Sequence, residues 1–466
     1  MNLANKNVLV LGLGDTGLSA VRWLKRCGAT VRVADSRAEA PNASRLQMEF
    51  PDVQLRSGSF QEDSFRNVEL IVSSPGVPLS EPALAQAIAQ GIPVTGDVEL
   101  FAQALKNSRS KVLAITGSNG KTTVTSMAGA MCEAAGMKTV VAGNIGLPVL
   151  DALLAAQEAV RRGEAEPDVY VLELSSFQLE TTSTLNAAAA TVLNVSEDHL
   201  DRYAGMAEYA ATKARIFQGS GVQVLNRDDP LSMAMKQPNR PVVTFGLNVP
   251  QHAGEYGIAQ QAGENWLAER EQMLMQVKEL PLAGLHNAAN ALAALALCRA
   301  IDLPDAPLLQ ALSVFKGLPH RVEWVAEING VNFYDDSKGT NVGATEAALN
   351  GMAEKVVLIA GGEGKGQDFR PLKAAIASHA RAVVLIGRDA SKIESAIEGC
   401  GVPVVYAANM EDAVRRSMME AISGDSVLLS PACASFDMFR NYEHRAQVFV
   451  AAVKVMQGAS ATGAGQ

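Results

Sequence analysis

Several clusters in this chain have the residue types and spacing needed to handle phosphate. Residues 116–123 read TGSNGKTT, after an apolar run and before a helical pattern. Gly117, Ser118, Asn119 and Gly120 are small enough for backbone N–H groups to converge on phosphate oxygens at a helix N-terminus. Lys121 adds a mobile positive charge for the terminal phosphates, and Thr122, followed by Thr123, adds a hydroxyl for Mg²⁺. The generic phosphate-loop pattern asks for a further glycine where Ile115 stands, so only its phosphate-facing half is met. The competing reading is an ordinary glycine turn ahead of a helix. In DVYVLELSSFQLE, an apolar strand pattern ends on Glu173, where a carboxylate could share a divalent cation with Thr122. The run NVSEDHLDRY packs Glu197, Asp198, His199 and Asp201 after another strand pattern. Taken alone it suits a solvated turn as well as a site.

Lys213 is the unusual residue. Helical spacing puts it on one face with Met206, Tyr209, Ala210, Ile216 and Phe217. A lysine on such a stripe either snorkels to the rim or is buried. Burial favours the neutral amine, which can add CO₂ and become a carboxylate-like carbamate. Further along, GLHNAAN places His286, Asn287 and Asn290 at a helix start, and LPHR brings His320 and Arg321 to a junction. YDDSKGTN supplies Asp335, Asp336, Lys338, Thr340 and Asn341 after a strand. GGEGKGQDF offers Lys365, and SPACASFDMFRNYEHR offers Ser435, Phe436 and Tyr442. Amides at a helix start could read a base edge or simply cap, and a mobile Arg could meet a phosphate. Hydroxyl and lysine groups at strand ends suit a small ligand carrying carboxylates.

A second glycine loop opens the chain. NVLVLGLGDTGLSA holds Gly12, Gly14 and Gly17 in G-x-G-x-x-G spacing, and Asp35 closes the next apolar run, as in a dinucleotide-binding unit. A nicotinamide enzyme would account for this loop but would leave TGSNGKTT idle.

The elements that must position these residues are strands alternating with helices almost throughout, the α/β signature. Polar or turn-rich breaks at KNSRSK and KGLPHR divide the chain into three α/β domains: 1–108 around the first glycine loop, 109–317 around the second, and 318–466, ending in the small, polar, disordered tail GASATGAGQ. A length of 466 residues exceeds one core. Residues 240–280 read as a small antiparallel patch. The net charge of −9 argues against a nucleic-acid partner but not against anionic small substrates. The five cysteines are scattered, without a C-x-x-C, which fits a reducing cytoplasm rather than disulfides or zinc. No signal-peptide pattern opens the chain. The longest apolar run, AGLHNAANALAALALCRA, is broken by His286, Asn287, Asn290 and Arg299, so no membrane insertion is expected.

TGSNGKTT, GNIG, ELSSFQLE, EDHLDRY, LPHR and DDSKGTN, in this order, resemble the Mur ligases, the ATP-dependent amide-bond synthetases of peptidoglycan assembly. The resemblance covers nearly the whole chain. SSPGVP, SSFQLE and SPACASFD favour the branch that adds D-glutamate to UDP-N-acetylmuramoyl-L-alanine. It implies a Rossmann-like first domain that holds UDP rather than NAD, a P-loop-type central ATPase domain and a Rossmann-like third domain. Gly14, Asp15, Thr16, Asp35, Ser36, Arg37, Ser74 and Gly76 would cradle the uridine diphosphate, and Asn144 of GNIG would contact the acceptor's sugar or acyl end. Lys121 with its loop, Asn287, Asn290, Arg321, Asp336 and Lys338 would serve ATP. Thr122 and Glu173 would hold one Mg²⁺; His199 and a carbamylated Lys213 would hold a second, with Mn²⁺ an alternative ion. Thr340, Lys365 and Ser435 would bind D-glutamate. Phe436 and Tyr442 would shape that pocket, standing where the family carries Leu and Phe. The implied enzyme is a monomer. A sibling ligase or a folate polyglutamylation enzyme would change only the acceptor. A non-catalytic ATP-gated module would need neither Lys213 on an apolar face nor the third-domain cluster.

Overall fold

The computed structural model describes residues 2–199, 202–282 and 284–463. The apolar runs become three sheets. The first holds β1 (Asn7–Leu11), β2 (Thr30–Asp35), β3 (Gln54–Ser57), β4 (Leu70–Ser73) and β5 (Val94–Thr95), all parallel, in the order β3-β2-β1-β4-β5. The strand order reverses beside β1, so a crevice opens at the carboxyl end of β1 and β4, where open α/β sheets take ligands. Gly12 follows β1 with φ +83°, and a Cβ on Gly17 would lie 1.9 Å from the Gly12 carbonyl oxygen. That close approach lets the helix Asp15–Arg26 start tight against the strand.

The second sheet contains β6 (Lys111–Thr116), β7 (Thr139–Gly143), β8 (Val169–Glu173), β9 (Ala189–Val192), β10 (Val222–Asn226), β11 (Val242–Phe245), β12 (Glu255–Gln261), β13 (Glu264–Glu269) and β14 (Gln272–Gln276). Their order is β14-β13-β12-β11-β10-β9-β6-β8-β7. Here the structure corrects the sequence reading: β11 pairs parallel with both β10 and β12, so it extends the main sheet. Only β12, β13 and β14 form the antiparallel patch. Strands β6, β8 and β9 are buried on both faces, as central parallel strands must be. The phosphate-loop helix, Lys121–Ala134, packs against the Ala-rich helix Leu285–Arg299. The second is buried nearly all round, and Cys132 Sγ meets Cys298 Sγ at 3.9 Å as free thiols. The apolar run that came nearest to a membrane span is thus a core helix. Among the described residues, no helix is long and apolar enough to cross a membrane.

The third sheet comprises β15 (Glu323–Ile328), β16 (Val331–Asp335), β17 (Val356–Gly361), β18 (Ala380–Ile386), β19 (Val404–Tyr406) and β20 (Ser426–Leu429), in the order β15-β16-β20-β17-β18-β19. It is parallel apart from the β15–β16 hairpin. The last helix, Tyr442–Gly463, takes in most of the segment read as a disordered tail, because its apolar face at Phe449 and Val453 docks on this sheet. Residues 464–466 lie outside the described residues.

The first two sheets share one apolar core. It runs from Val8, Val10 and Leu18 through Val98 and Phe101 to Val149, Leu153 and Tyr170. Arg22 reinforces this contact, donating to Asp151 at 2.8 Å and to Glu49. Asp97, buried in the same region, accepts from Gln178 Nε2 at 3.1 Å, and burial pushes its carboxyl up to about 6.

Two predictions follow from this packing. Gly17→Ala forces a methyl onto a carbonyl that cannot retreat, and should cost at least about 2 kcal/mol, read as a lowered melting temperature. Between pH 4 and 6 the folded chain keeps a proton on Asp97 that the unfolded chain releases, so this group lowers stability as pH rises. The difference in stability between wild type and Asp97→Asn, measured by urea unfolding, should shift in favour of the variant across that window. A flat difference would contradict it.

Candidate active site

The site lies where the carboxyl ends of the three sheets face one another. A cavity of about 800 Å³ opens over the first sheet and is lined by Gly14, Asp15, Thr16, Asp35, Ser36, Arg37, Ser74 and Gly76. Asn144, Leu147 and Gln178 of the second sheet's loops close its far side. All nine residues read as contacts for the UDP-linked substrate therefore line one chamber. Asp35 is not a free ribose acceptor within it. Its Oδ2 accepts from Leu13 N–H at 2.7 Å, and both of its oxygens accept from Arg37, which holds the carboxyl down at about 2. Asp35 thus stiffens the glycine loop and aims Arg37, a cation suited to a diphosphate rather than to a sugar diol.

The phosphate loop joins β6 to its helix. Gly120 has φ +82°, and the following helix directs its first N–H groups into the loop. Ser118 Oγ donates to the Ser196 carbonyl, and Asn119 N–H donates to Asn194 Oδ1, tying the loop to the segment after β9. Thr123 is buried beneath the loop. Lys121 Nζ donates to the carbonyls of Gly117 and Ser118, at 2.8 and 2.9 Å. Burial lowers its pKa, while Glu173 and Asp198 pull it back up.

Lys213 is 1% exposed, so the apolar-face reading ends in burial and not in snorkelling. Its Nζ donates to the same Gly117 carbonyl at 3.0 Å and lies 4.4 Å from the Tyr209 ring centre. Burial drives its pKa well below the ordinary lysine value; neighbouring Lys121 lowers it further, and Asp198 opposes both. A shift in that direction favours the neutral amine, the form that can react with CO₂.

Glu173 ends β8 beside Ile115 of β6, the strand that feeds the loop. Its Oε1 accepts from Asn144 Nδ2 at 2.8 Å. Its Oε2 is buried without a hydrogen-bond partner. A buried, orphaned carboxylate oxygen is what a divalent cation would satisfy, so Glu173 with Thr122 fits Mg²⁺. His199 has φ +55°; its Nε2 lies 3.6 Å from Asp198 Oδ2, and its ring stands 4.7 Å from that of Phe177. Asp201 lies outside the described residues.

The third sheet closes over this centre. Arg321 donates to Thr122 Oγ1 at 3.1 Å, and Asn341 Nδ2 donates to Asn119 Oδ1 at 3.0 Å. A second cavity, of about 600 Å³, lies between the second and third sheets, lined by His286, Asn287, Lys316, Arg321, Trp324 and Tyr334. Asn290 does not line it: its Oδ1 packs against Gly120 and its Nδ2 reaches Asn287. Burial, with the neighbouring Arg321, lowers His286 to about 4, so it is a neutral imidazole in this chamber. Asp336 accepts from Ser430 Oγ at 2.7 Å; burial raises it to about 7 against the pull of that bond and of Arg321.

Thr340, Lys365 and Ser435 lie in the loops that follow β16, β17 and β20, three adjacent strands, so those loops leave the same edge of the sheet. Phe436 is 67% exposed. Tyr442 faces the phosphate side instead: Lys338 Nζ donates to its hydroxyl at 3.2 Å and lies 4.8 Å from its ring centre. Sequence reasoning placed Tyr209 only on the apolar face with Lys213, and it passed over Phe177 and Arg202. Their aromatic and cationic character within motif-rich segments was the available signal, but only folding shows what they touch.

Three family models match in chain order: the Mur ligase MurD-like N-terminal domain over residues 6–96, the Mur ligase middle domain over 115–298, and the Mur ligase glutamate ligase domain over 320–433. The chain belongs to the Mur ligase family. It is 59% identical to the UDP-N-acetylmuramoylalanine–D-glutamate ligase of Methylobacillus flagellatus, across 98% of each chain. It is 60% identical to the enzyme of the same name from Thiobacillus denitrificans, across 97% of each. Among solved structures, it shares its fold with the UDP-N-acetylmuramate–alanine ligase MurC of Thermotoga maritima, at a TM-score of 0.60 and 18% identity over 97% of this chain and 99% of that one. A MurF structure from Acinetobacter baumannii also scores 0.60, at 16% identity over 96% and 93%.

Glu173→Gln puts an amide where the orphaned oxygen stands and removes the charge. We expect Mg²⁺-dependent phosphate release from ATP to fall by about 10²-fold or more, with the melting temperature nearly unchanged. Retained activity would mean that Glu173 does not hold the ion.

Proposed function

We propose that this chain is an ATP-dependent ligase that joins D-glutamate to UDP-N-acetylmuramoyl-L-alanine in peptidoglycan precursor synthesis. The observation that carries the reading is the double place of Asn144, which lines the 800 Å³ chamber over the first glycine loop and donates to Glu173 on the strand beside the one that feeds the phosphate loop. Thr340, Lys365 and Ser435, in the loops after β16, β17 and β20, are the groups that would take the amino acid. Full-length identity to the D-glutamate ligases agrees with this reading.

In the reaction, the carboxylate of the UDP-linked substrate attacks the γ-phosphorus of ATP and displaces ADP. The amine of D-glutamate then attacks the acyl-phosphate, forming the amide and releasing phosphate. Both steps bring anions together, so charge neutralisation and positioning dominate. The residues that would hold Mg²⁺ are Thr122 and Glu173 at one position, and His199 with carbamylated Lys213 at a second; bound there, the ion supplies Lewis-acid stabilisation of phosphoryl oxygens. Lys121, Arg321 and Lys338 bring fixed cations to the transferring group. Asn287 and the walls of the 600 Å³ chamber would take the adenine end. The charge of Asp336 favours the Arg321 cation against the cost of its burial. Contacts of Arg321 and Asn341 with the phosphate loop shield the acyl-phosphate from water.

The carbamate reading rests on Gly117. Two ammonium groups on one carbonyl would repel each other, which favours Lys213 as the neutral amine; its nitrogen can then add to the carbon of CO₂ and release one proton to solvent, leaving a carbamate anion beside the Lys121 cation. Lys213→Ala should lose activity and regain part of it with added short carboxylates. A ¹³C resonance from ¹³CO₂ should appear in wild type and be absent from the variant.

The deciding experiment is phosphate release from ATP with Mg²⁺ and UDP-N-acetylmuramoyl-L-alanine, comparing D-glutamate with L-glutamate, L-lysine and meso-diaminopimelate. Release only with D-glutamate is the expected result. Release with another amino acid would replace the acceptor but keep the ligase chemistry.

A further inference from the structure

Arg202 follows the His199 loop, and nothing in the proposed chemistry uses it, yet it is among the most heavily engaged cations in the molecule. Its Nε and Nη2 donate to Glu180 Oε1 and Oε2 at 3.0 and 2.6 Å, a bidentate pair in which the two side chains are 11% and 13% exposed. Its Nη1 donates to the Pro75 carbonyl at 2.7 Å, and Nη2 also reaches the Val77 carbonyl at 3.4 Å. Pro75 and Val77 flank Gly76 in the turn after β4, and all three line the 800 Å³ chamber over the first sheet. The guanidinium carbon lies 4.1 Å from the centre of the Phe177 ring, the ring that also meets His199. Arg202 N–H donates to the His199 carbonyl at 2.9 Å. Tyr203 Oη donates to Glu180 Oε1 at 2.7 Å, and its ring approaches that of Tyr209, against which Lys213 Nζ is packed.

One side chain therefore touches the wall of the substrate chamber and, through one aromatic ring and one backbone bond, the loop that carries His199. We propose that Arg202 is a positioning residue that locks turn 74–77 of the first sheet to the His199 loop of the second. It thereby sets where the UDP-linked substrate's reacting end arrives relative to the phosphate-transfer centre. The inference rests on the ligase reading above and adds a residue to it. Four N–H donors fixed in one plane serve a carboxylate and two carbonyls at once; a lysine has neither the number nor the geometry. A misplacement of about 1 Å at a reacting centre can cost about 10²-fold in rate.

The test separates positioning from simple stabilisation. Replacing a buried ion pair by apolar groups of similar volume often leaves stability unharmed. The double variant Arg202→Met with Glu180→Met removes the polar ties from this side chain to the turn and its ion-pair partner while filling the space. For it, and for Arg202→Lys, we expect kcat to fall on the order of 30- to 100-fold. KM for the UDP-linked substrate should rise, KM for D-glutamate should not change, and the melting temperature of the double variant should stay within a few degrees of wild type. Binding of UDP alone in metal-free buffer, measured by calorimetry, should weaken about tenfold, because the freed turn no longer presents one shape. If the double variant does not fold, Arg202→Lys alone is read by the same measurements. Wild-type kcat and UDP affinity in a folded variant would overturn the proposal, as would a loss that only tracks the folded fraction or an equal rise in KM for D-glutamate. Wild type that releases no phosphate with D-glutamate would instead overturn the ligase reading.

Discussion

The structure turns on one backbone oxygen. The Gly117 carbonyl accepts hydrogen bonds from Lys121 and Lys213, one lysine from the helix that follows it and the other from a helix far along the chain. Two amines so close, one of them fully buried, cannot both stay charged at small cost, because desolvation and mutual repulsion act in the same direction. Lys121 keeps support from Glu173 and Asp198, whereas Lys213 has only Asp198 among the groups that raise it. The two lysines thus differ in electrostatic setting though they share a nearly common position: Lys213 is pushed the more strongly toward the neutral amine.

Around that oxygen, the three sheets bring their carboxyl ends together. The shared apolar core of the first two makes them a single platform, and the 800 Å³ chamber lies across their junction. Contact with the third sheet is different in kind: near the phosphate loop it includes polar bonds from Arg321 to Thr122, from Asn341 to Asn119 and Asp198, and from Asp368 N–H to Glu197. Contacts of that sort can be remade when ligands come and go, whereas an apolar seam costs far more to open. A rigid half to hold the nucleotide-linked substrate and a separately tethered half to bring the amino acid suits chemistry that must exclude water only while the acyl-phosphate exists.

Much of this was legible in the residues. The alternation of strands and helices, the two glycine loops and the apolar placement of Lys213 depend on local spacing, and local spacing survives folding. The antiparallel patch was only half right: Val242–Phe245 and its neighbours carry β-forming residues that fit either direction, so pairing was decided by where the preceding strand already lay. The tail was misread because small residues favour no structure alone; the face at Phe449 and Val453 anchors the helix that carries them.

The sequence by itself determined which groups could do chemistry: a lysine and a threonine at a helix start, an acid at a strand end, a lysine on an apolar stripe. Each follows from covalent neighbours and helical or strand period. Only the tertiary structure decided which of them meet. It left Glu173 Oε2 without a partner and spent Asp35 on the glycine loop. It set Asn287, but not Asn290, in the 600 Å³ chamber, turned Tyr442 toward Lys338 and carried Arg202 to the wall of another sheet's pocket. Those outcomes depend on contacts between residues distant in the chain, and no local period encodes them.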